Sequence, residues 1–279
     1  MRTLVLVLTL FIFFMFFTIL TIYDEGYQLP LSSVLKQNKN VMINPSVPIH
    51  YVFWTGGYDS TFIVLYYLYE TYSNKNNILI QPIYLSGCVD NMVCHSDDSR
   101  QSKKYEMETM DKIRSRIPEE LRKRLLPTIV ISDIEIDDDI DAKAKALFRV
   151  GHSTRPRNQY ASIAQVCKNR SISGAVGVVR DDDHDNWGKI VGNIKNKNTS
   201  DAQLDIHDIK DIQDIHDIKE YSIFSEFRFP TIFLSKQEMM EIARRYRFDS
   251  ILSLSWSCWF PVDGKPCGKC NMCKTRIIK

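Results

Sequence analysis

Two hundred and seventy-nine residues, 44% hydrophobic and 25% charged, suffice for one medium α/β domain and exclude a disordered chain, a collagen and a small disulfide knot. Thirty-six Lys and Arg against 34 Asp and Glu leave a formal net charge of +2, so no overall field recruits nucleic acid, which is not indicated as a partner. Seven cysteines are too few for a disulfide scaffold, and four of them crowd into the last twenty-two residues, which points to a metal.

From Thr3 to Tyr23 no charge interrupts a run of Leu, Val, Phe, Ile, Met and Thr. As a helix this run spans about 30 Å, the thickness of a bilayer's hydrocarbon core. It ends in Thr18-Ile19-Leu20-Thr21-Ile22-Tyr23, a poor cleavage site, so an uncleaved transmembrane anchor over 1–23 is expected ahead of a signal peptide. Residues 24–47, with scattered Pro, Ser, Asn and Lys, read as a linker. The expected localisation is accordingly a single-pass membrane protein, with the membrane as one partner.

The domain then begins near Ile49. His50 to Trp54 reads as a strand, Gly56-Gly57 as a turn, and Ser60 to Tyr69 as a helix. Ile78 to Leu85 suits a second strand, Ser99 to Arg116 a charged helix, and Thr128 to Ile134 a third strand. Arg157 to Asn169 predicts a helix, Ser173 to Val179 a fourth strand, and Lys236 to Arg247 a helix. Strands alternating with helices imply a parallel sheet with right-handed crossovers, whose ligand sits beyond the carboxyl ends of the strands.

Residues 193–220 interrupt this plan. Ile206, Ile209, Ile212, Ile215 and Ile218 recur every third residue among Asp, Lys and His, a spacing that winds around an α-helix and builds no single face. The stretch reads as a solvated low-complexity insertion, with His207 and His216 as parts of the repeat rather than metal ligands.

Trp54-Thr55-Gly56-Gly57-Tyr58-Asp59-Ser60-Thr61 is the most informative segment. Adjacent glycines after a strand let the backbone approach an anion, and the following helix offers its free N–H groups and positive dipole end at the same point. Ser60 and Thr61 can add hydroxyl donors. Asp59 either supports a phosphate-bound Mg²⁺ or caps the helix. The turn resembles the PP-loop, Ser-Gly-Gly-x-Asp-Ser/Thr, of the N-type ATP pyrophosphatases, with Thr55 in the leading position.

Cys258, Cys267, Cys270 and Cys273 follow the pattern Cys-x8-Cys-Gly-x-Cys-x2-Cys. Four thiolates at this spacing suit tetrahedral Zn²⁺, and Lys265, Lys269, Lys274 and Arg276 offset their charge. With every position filled, such a site is structural. Thiolate-held zinc favours a reducing compartment, which puts the domain on the cytosolic side. Cys167, inside an apolar helix, reads as core, and Cys88, Cys94 and His95 as free thiols and a surface histidine.

Glycine turn and cysteine cluster together resemble the 7-cyano-7-deazaguanine synthase family. Its Thr-Trp-Ser-Cys-Tyr followed by Cys-Gly-x-Cys-x2-Cys-x2-Arg is similar to Ser255-Trp256-Ser257-Cys258-Trp259 and to Cys267 through Arg276. Pro156-Arg157-Asn158 looks like the family's Pro-x-Arg-Asn with a residue deleted, and Pro230 to Ser235-Lys236 like its Pro-x(4)-Ser/Thr-Lys. The resemblance runs from about His50 to Arg276, interrupted by the isoleucine repeat.

It implies a Rossmann-like adenine nucleotide α-hydrolase fold over 48–254, a zinc-binding C-terminal segment over 255–279, and the cofactors ATP, Mg²⁺ and Zn²⁺. The implied reaction adenylates the carboxylate of 7-carboxy-7-deazaguanine and lets ammonia displace AMP on the way to the nitrile. Thr55, Gly56, Gly57, Tyr58, Asp59, Ser60 and Thr61 would bind the nucleotide, with Asp59, Arg157 and Lys236 catalytic and a homodimer among the expected partners. The chain departs from the family over Cys88 to Ser99 and over Arg180 to Trp187, the loops that read the deazapurine. Two other readings stand beside this one: a tRNA-modifying sulfur transferase using Cys88 or Cys94, and a catalytically degenerate zinc-stabilised scaffold.

Overall fold

A computed structural model of the chain describes residues 47–86, 102–132, 134–149, 159–179 and 219–274. All of them lie in one compact unit, Val47–Lys279. Five parallel strands form its sheet: β1 (Ile49–Phe53), β2 (Leu79–Leu85), β3 (Ile129–Ile131), β4 (Gly174–Ala175) and β5 (Phe227–Arg228), in the order β3-β2-β1-β4-β5. The expected parallel α/β sheet is therefore present, with a fifth strand that the sequence reading did not contain.

Period-two alternation sends successive residues of each strand to opposite faces. Val52, Ile80 and Tyr84 join one apolar cluster, while Phe53 and Ile83 join another. On the first face pack α1 (Tyr58–Ser73), α2 (Lys103–Arg116) and α6 (Lys236–Arg245), with the short α3 (Glu119–Arg122) and α7 (Asp249–Leu252). On the second lie α4 (Asp138–Arg149), α5 (Gln159–Arg170) and a 3₁₀ turn, Lys219–Phe224. One further short helix, α8 (Asn271–Lys274), belongs to the cysteine segment.

Helix α4 is the clearest element missing from the sequence reading. Its signal is Ile140, Ala144 and Leu147, all buried on one face, behind an acidic first turn of Asp138, Asp139 and Asp141. Strand β5 has two residues, too few to show a period. Its neighbour β4 opens on Gly174, where a Cβ would come within 2.3 Å of the Phe53 ring. A glycine there lets β4 pair with Tyr51 and Val52 while Phe53 keeps its place in the core.

From β1 the chain steps to β2 and β3 on one side, then crosses to β4 and β5 on the other. The order reverses between β1 and β4, and in open α/β sheets that crevice is where ligands bind. The glycine turn leaves the carboxyl end of β1 at this point.

The expected membrane localisation is corrected. Among the described residues no helix is long and apolar enough to cross a membrane. The longest, α1, has 16 residues, carries Asp59 and Glu70, and spends its apolar residues on the core. The stretch 1–23 expected as an anchor, the linker expected over 24–47 up to Ser46, and the isoleucine repeat from 193 to 218 lie outside the described residues.

Candidate functional site

The glycine turn is held from three sides. Gly56 has φ +71°, and a Cβ on it would come within 2.9 Å of the Glu106 carbonyl oxygen of α2, so both conformation and space require glycine here. Gly57 has an ordinary φ of −70° and N-caps α1. Gly57 has no side chain to cap the helix, and Asp59 sits in the first turn beside the N-terminal N–H groups. Gly177, just past β4, brings its backbone against Asp59 and Ser60 from the other side of the switch point.

The hydroxyls divide their roles. Thr55 Oγ1 accepts from the Gly57 N–H at 3.3 Å, and Ser60 Oγ accepts from the Thr55 N–H at 3.3 Å, so both fold back on the turn and fix its shape. Thr61 is fully buried and its Oγ1 accepts from the Trp54 indole at 3.0 Å. This bond ties the first turn of α1 to the residue that follows β1.

Lys236 opens α6, and its backbone carbonyl accepts a hydrogen bond from the Tyr58 hydroxyl at 3.2 Å. Ser235 and Glu238 form a reciprocal capping box that fixes where α6 begins. The structure thus brings the start of α6 against the start of α1, 178 residues apart in sequence. Burial, aided by the negative charge of Asp59, pushes the Tyr58 phenol up to about 12, so it remains a donor at neutral pH. Arg157, together with Cys88, Cys94, His95 and the loop Arg180 to Trp187, lies outside the described residues.

Cys258, Cys267, Cys270 and Cys273 come together with their sulfurs within 4.8 Å of one another, a group that could hold a metal ion. Zinc–sulfur bonds of about 2.3 Å in a tetrahedron need sulfurs a little under 4 Å apart, and Cys267 and Cys273 stand at 4.0 Å. The donor set therefore fits zinc. Two structures prepare it. Asp263 and Gly264, both with positive φ, make the two-residue turn of a hairpin in which Val262 and Lys265 exchange backbone hydrogen bonds of 2.9 Å. Gly268 at φ +68° then turns the chain so that the N–H groups of Lys269 and Cys270 donate to the Cys267 sulfur at 3.4 and 3.2 Å. Those donors hold the Cys267 thiol down to about 6, whereas burial pushes Cys273 up to about 12. Cys167 is buried in α5, as expected, with its thiol pushed up to about 12 by burial.

Sequence reasoning missed the joint between these two sites. The Trp256 N–H donates to the Gly56 carbonyl at 2.8 Å, and the Trp256 carbonyl lies 3.7 Å from where a Cβ on Gly57 would stand. Its indole Nε1–H donates to the Cys258 carbonyl at 2.7 Å, and its ring stacks on Tyr105 of α2. Next to it, the Ser257 hydroxyl is buried with no hydrogen-bond partner among the described residues, a polar group that a ligand or water would satisfy. The sequence signal for this joint was the short spacing of Trp256 from Cys258, but nothing in it points back to residue 56.

The family model described as Queuosine biosynthesis protein QueC matches residues 208–278. Over this stretch the chain resembles the 7-cyano-7-deazaguanine synthase family. The match includes Lys236, Trp256 and all four cysteines, while the glycine turn and Arg157 lie upstream of it. No curated protein is matched by the chain.

Proposed function

We propose that the chain is an ATP-dependent ligase of the 7-cyano-7-deazaguanine synthase type, acting in deazapurine nucleoside biosynthesis by adenylating 7-carboxy-7-deazaguanine and passing it to ammonia. The observation that carries this reading is the Trp256 to Gly56 hydrogen bond. It sets the cysteine segment, which lies within the family match, directly on a glycine turn at the sheet's switch point. A turn and a cysteine cluster at opposite ends of the domain would have been coincidental motifs.

Bound Mg²⁺-ATP supplies an activated α-phosphorus, which turns a carboxylate oxygen into part of a good leaving group, AMP. The chain's own residues bind and orient. The uncapped first turn of α1 directs N–H groups and a positive dipole end toward an anion, and the absence of a side chain at Gly57 leaves room for its approach. Asp59, at the same helix end, is the group that would hold the magnesium. Lys236 at the start of α6 supplies positive charge for the phosphates, with Arg157 in the same role. Zinc on the four cysteines is structural, since four sulfur ligands fill a tetrahedral site.

The test is incubation of the purified chain with Mg²⁺-ATP, ammonium and a panel of carboxylated deazapurines, with products scored by mass spectrometry. AMP release and nitrile formation with 7-carboxy-7-deazaguanine are expected. Failure to release AMP with any member of the panel would overturn the ligase reading in favour of a scaffold. AMP release with another member alone would reassign the substrate.

A further inference from the structure

Trp256 touches both halves of the site through different atoms. Its backbone N–H is bonded to Gly56 at 2.8 Å, and its indole N–H is bonded to the Cys258 carbonyl at 2.7 Å. The ring is fixed in a third direction by Tyr105, with centroids 5.0 Å apart and planes at 16°. Tyr105 in turn lies 3.9 Å from where a Cβ on Gly264 would stand, so the hairpin leading into Cys267 sits beside the pair. Helix α2, which carries Tyr105, also presses the Glu106 carbonyl and Met110 against Gly56. The glycine turn therefore rests on a layer whose other face is the cysteine segment.

We propose that Trp256 is a positioning residue through which metal occupancy of the cysteine cluster sets the shape of the glycine turn, so that metal binding tightens the grip on the nucleotide. This deepens the nucleotide reading given above and rests on it. The cluster's sulfurs are tied together by backbone N–H bonds at Cys258 and Cys267. A metal joins all four residues into one rigid unit, and Cys258, buried at its centre, carries the carbonyl that anchors the indole. With the metal gone, the Cys258 carbonyl loses the bracing of the other three cysteines, and the Trp256 N–H bond to Gly56 and the Tyr105 stack are left to hold the turn. The turn needs its Gly56 carbonyl held, because α1's first N–H groups point at the anion only while the turn keeps its path. Linkage makes the effect reciprocal: whatever factor the metal adds to nucleotide affinity, the nucleotide adds to metal affinity.

The experiment measures the dissociation constant of Mg²⁺-ATP by calorimetry, and of Zn²⁺ by competition with a chromophoric chelator, for the full chain loaded with zinc and after stripping. Stripping is expected to weaken ATP binding by about tenfold, within the usual range of coupling between sites, and ATP to tighten zinc by the same factor. Trp256→Phe, which keeps the ring and loses the indole donor, should still bind one zinc but bind ATP more weakly and with a smaller zinc dependence. Tyr105→Leu, on the opposite side of the stack, should do likewise, and circular dichroism verifies that each variant is folded. A zinc-loaded wild type that binds no ATP overturns the nucleotide reading and this proposal with it. Equal ATP affinity with and without zinc, or an unchanged zinc dependence in both folded variants, overturns the coupling alone.

Discussion

A Cβ added to Gly177 would stand 2.8 Å from the Ser60 nitrogen, closer than a side-chain carbon is found to a backbone atom. The end of β4 is thus pressed against the first turn of α1, and the crevice at the switch point is built from backbone on both walls. Gly177→Ala must push one wall away, because the atom it meets belongs to the main chain. A loss of about 1–3 kcal/mol in urea unfolding is expected. ATP affinity should fall with it, measured by titration at a temperature where the variant is folded.

The two glycines of the turn should respond differently. Gly56→Ala suffers both a left-handed backbone and a contact of 2.9 Å with the Glu106 carbonyl oxygen, so it should cost about 2 kcal/mol or more. In Gly57→Val the Cβ stands 3.1 Å from the Thr55 hydroxyl, with the Trp256 carbonyl at 3.7 Å and the Ser60 hydroxyl at 3.9 Å in ordinary contact, and φ is unstrained. Its fold should survive while ATP affinity drops about a hundredfold, roughly 2.7 kcal/mol. Calorimetry beside a thermal melt separates the two outcomes, and unchanged ATP affinity in Gly57→Val would remove the site from this turn.

Removal of the metal should expose an ordered reactivity among the thiols. Backbone N–H groups hold Cys267 down to about 6, so in the stripped protein at neutral pH it is a thiolate, while burial keeps Cys258 and Cys273 protonated. Brief alkylation with iodoacetamide at pH 7, mapped by peptide mass, should label Cys267 before those two. In the loaded protein all four sulfurs should be protected, and metal analysis should find about one zinc per chain, lost in Cys270→Ser.

Tyr58 joins α1 to the carbonyl of Lys236, and Tyr58→Phe should cost about 1 kcal/mol for the lost hydrogen bond. A pH signature accompanies it. The folded phenol titrates near 12, above its ordinary value of about 10, so its contribution is complete below pH 10 and is lost as the pH rises toward 12. Stability measured across that window should fall in the native chain and fall less steeply in Tyr58→Phe.

Much of the first half of the fold was legible because its signals are local. His50 to Trp54, the glycine pair and the apolar run after Ser60 announce strand, turn and helix within 20 residues, and β1 and α1 follow them closely. Helix α4 was not predicted, although Ile140, Ala144 and Leu147 carry a helical spacing behind its acidic first turn. Nor was strand β5, since two residues become a strand only by pairing with β4. Thr61 shows the same limit at the level of one hydroxyl: its residue type suits an anion site, and only the fold brings the Trp54 indole N–H onto its oxygen.

The amino-acid order by itself determined the cysteine cluster and the glycine turn, because both depend on spacing within a few residues and on chemistry that belongs to the side chains or to their absence. It also determined the parallel α/β class, through alternation of short apolar runs with longer helical ones. Only the tertiary structure decided that Trp256 bonds Gly56, that Gly177 walls the crevice, and that the start of α6 meets Tyr58. Those contacts join residues up to 200 positions apart, and their partners are mostly backbone atoms, which every residue carries and no sequence pattern can mark.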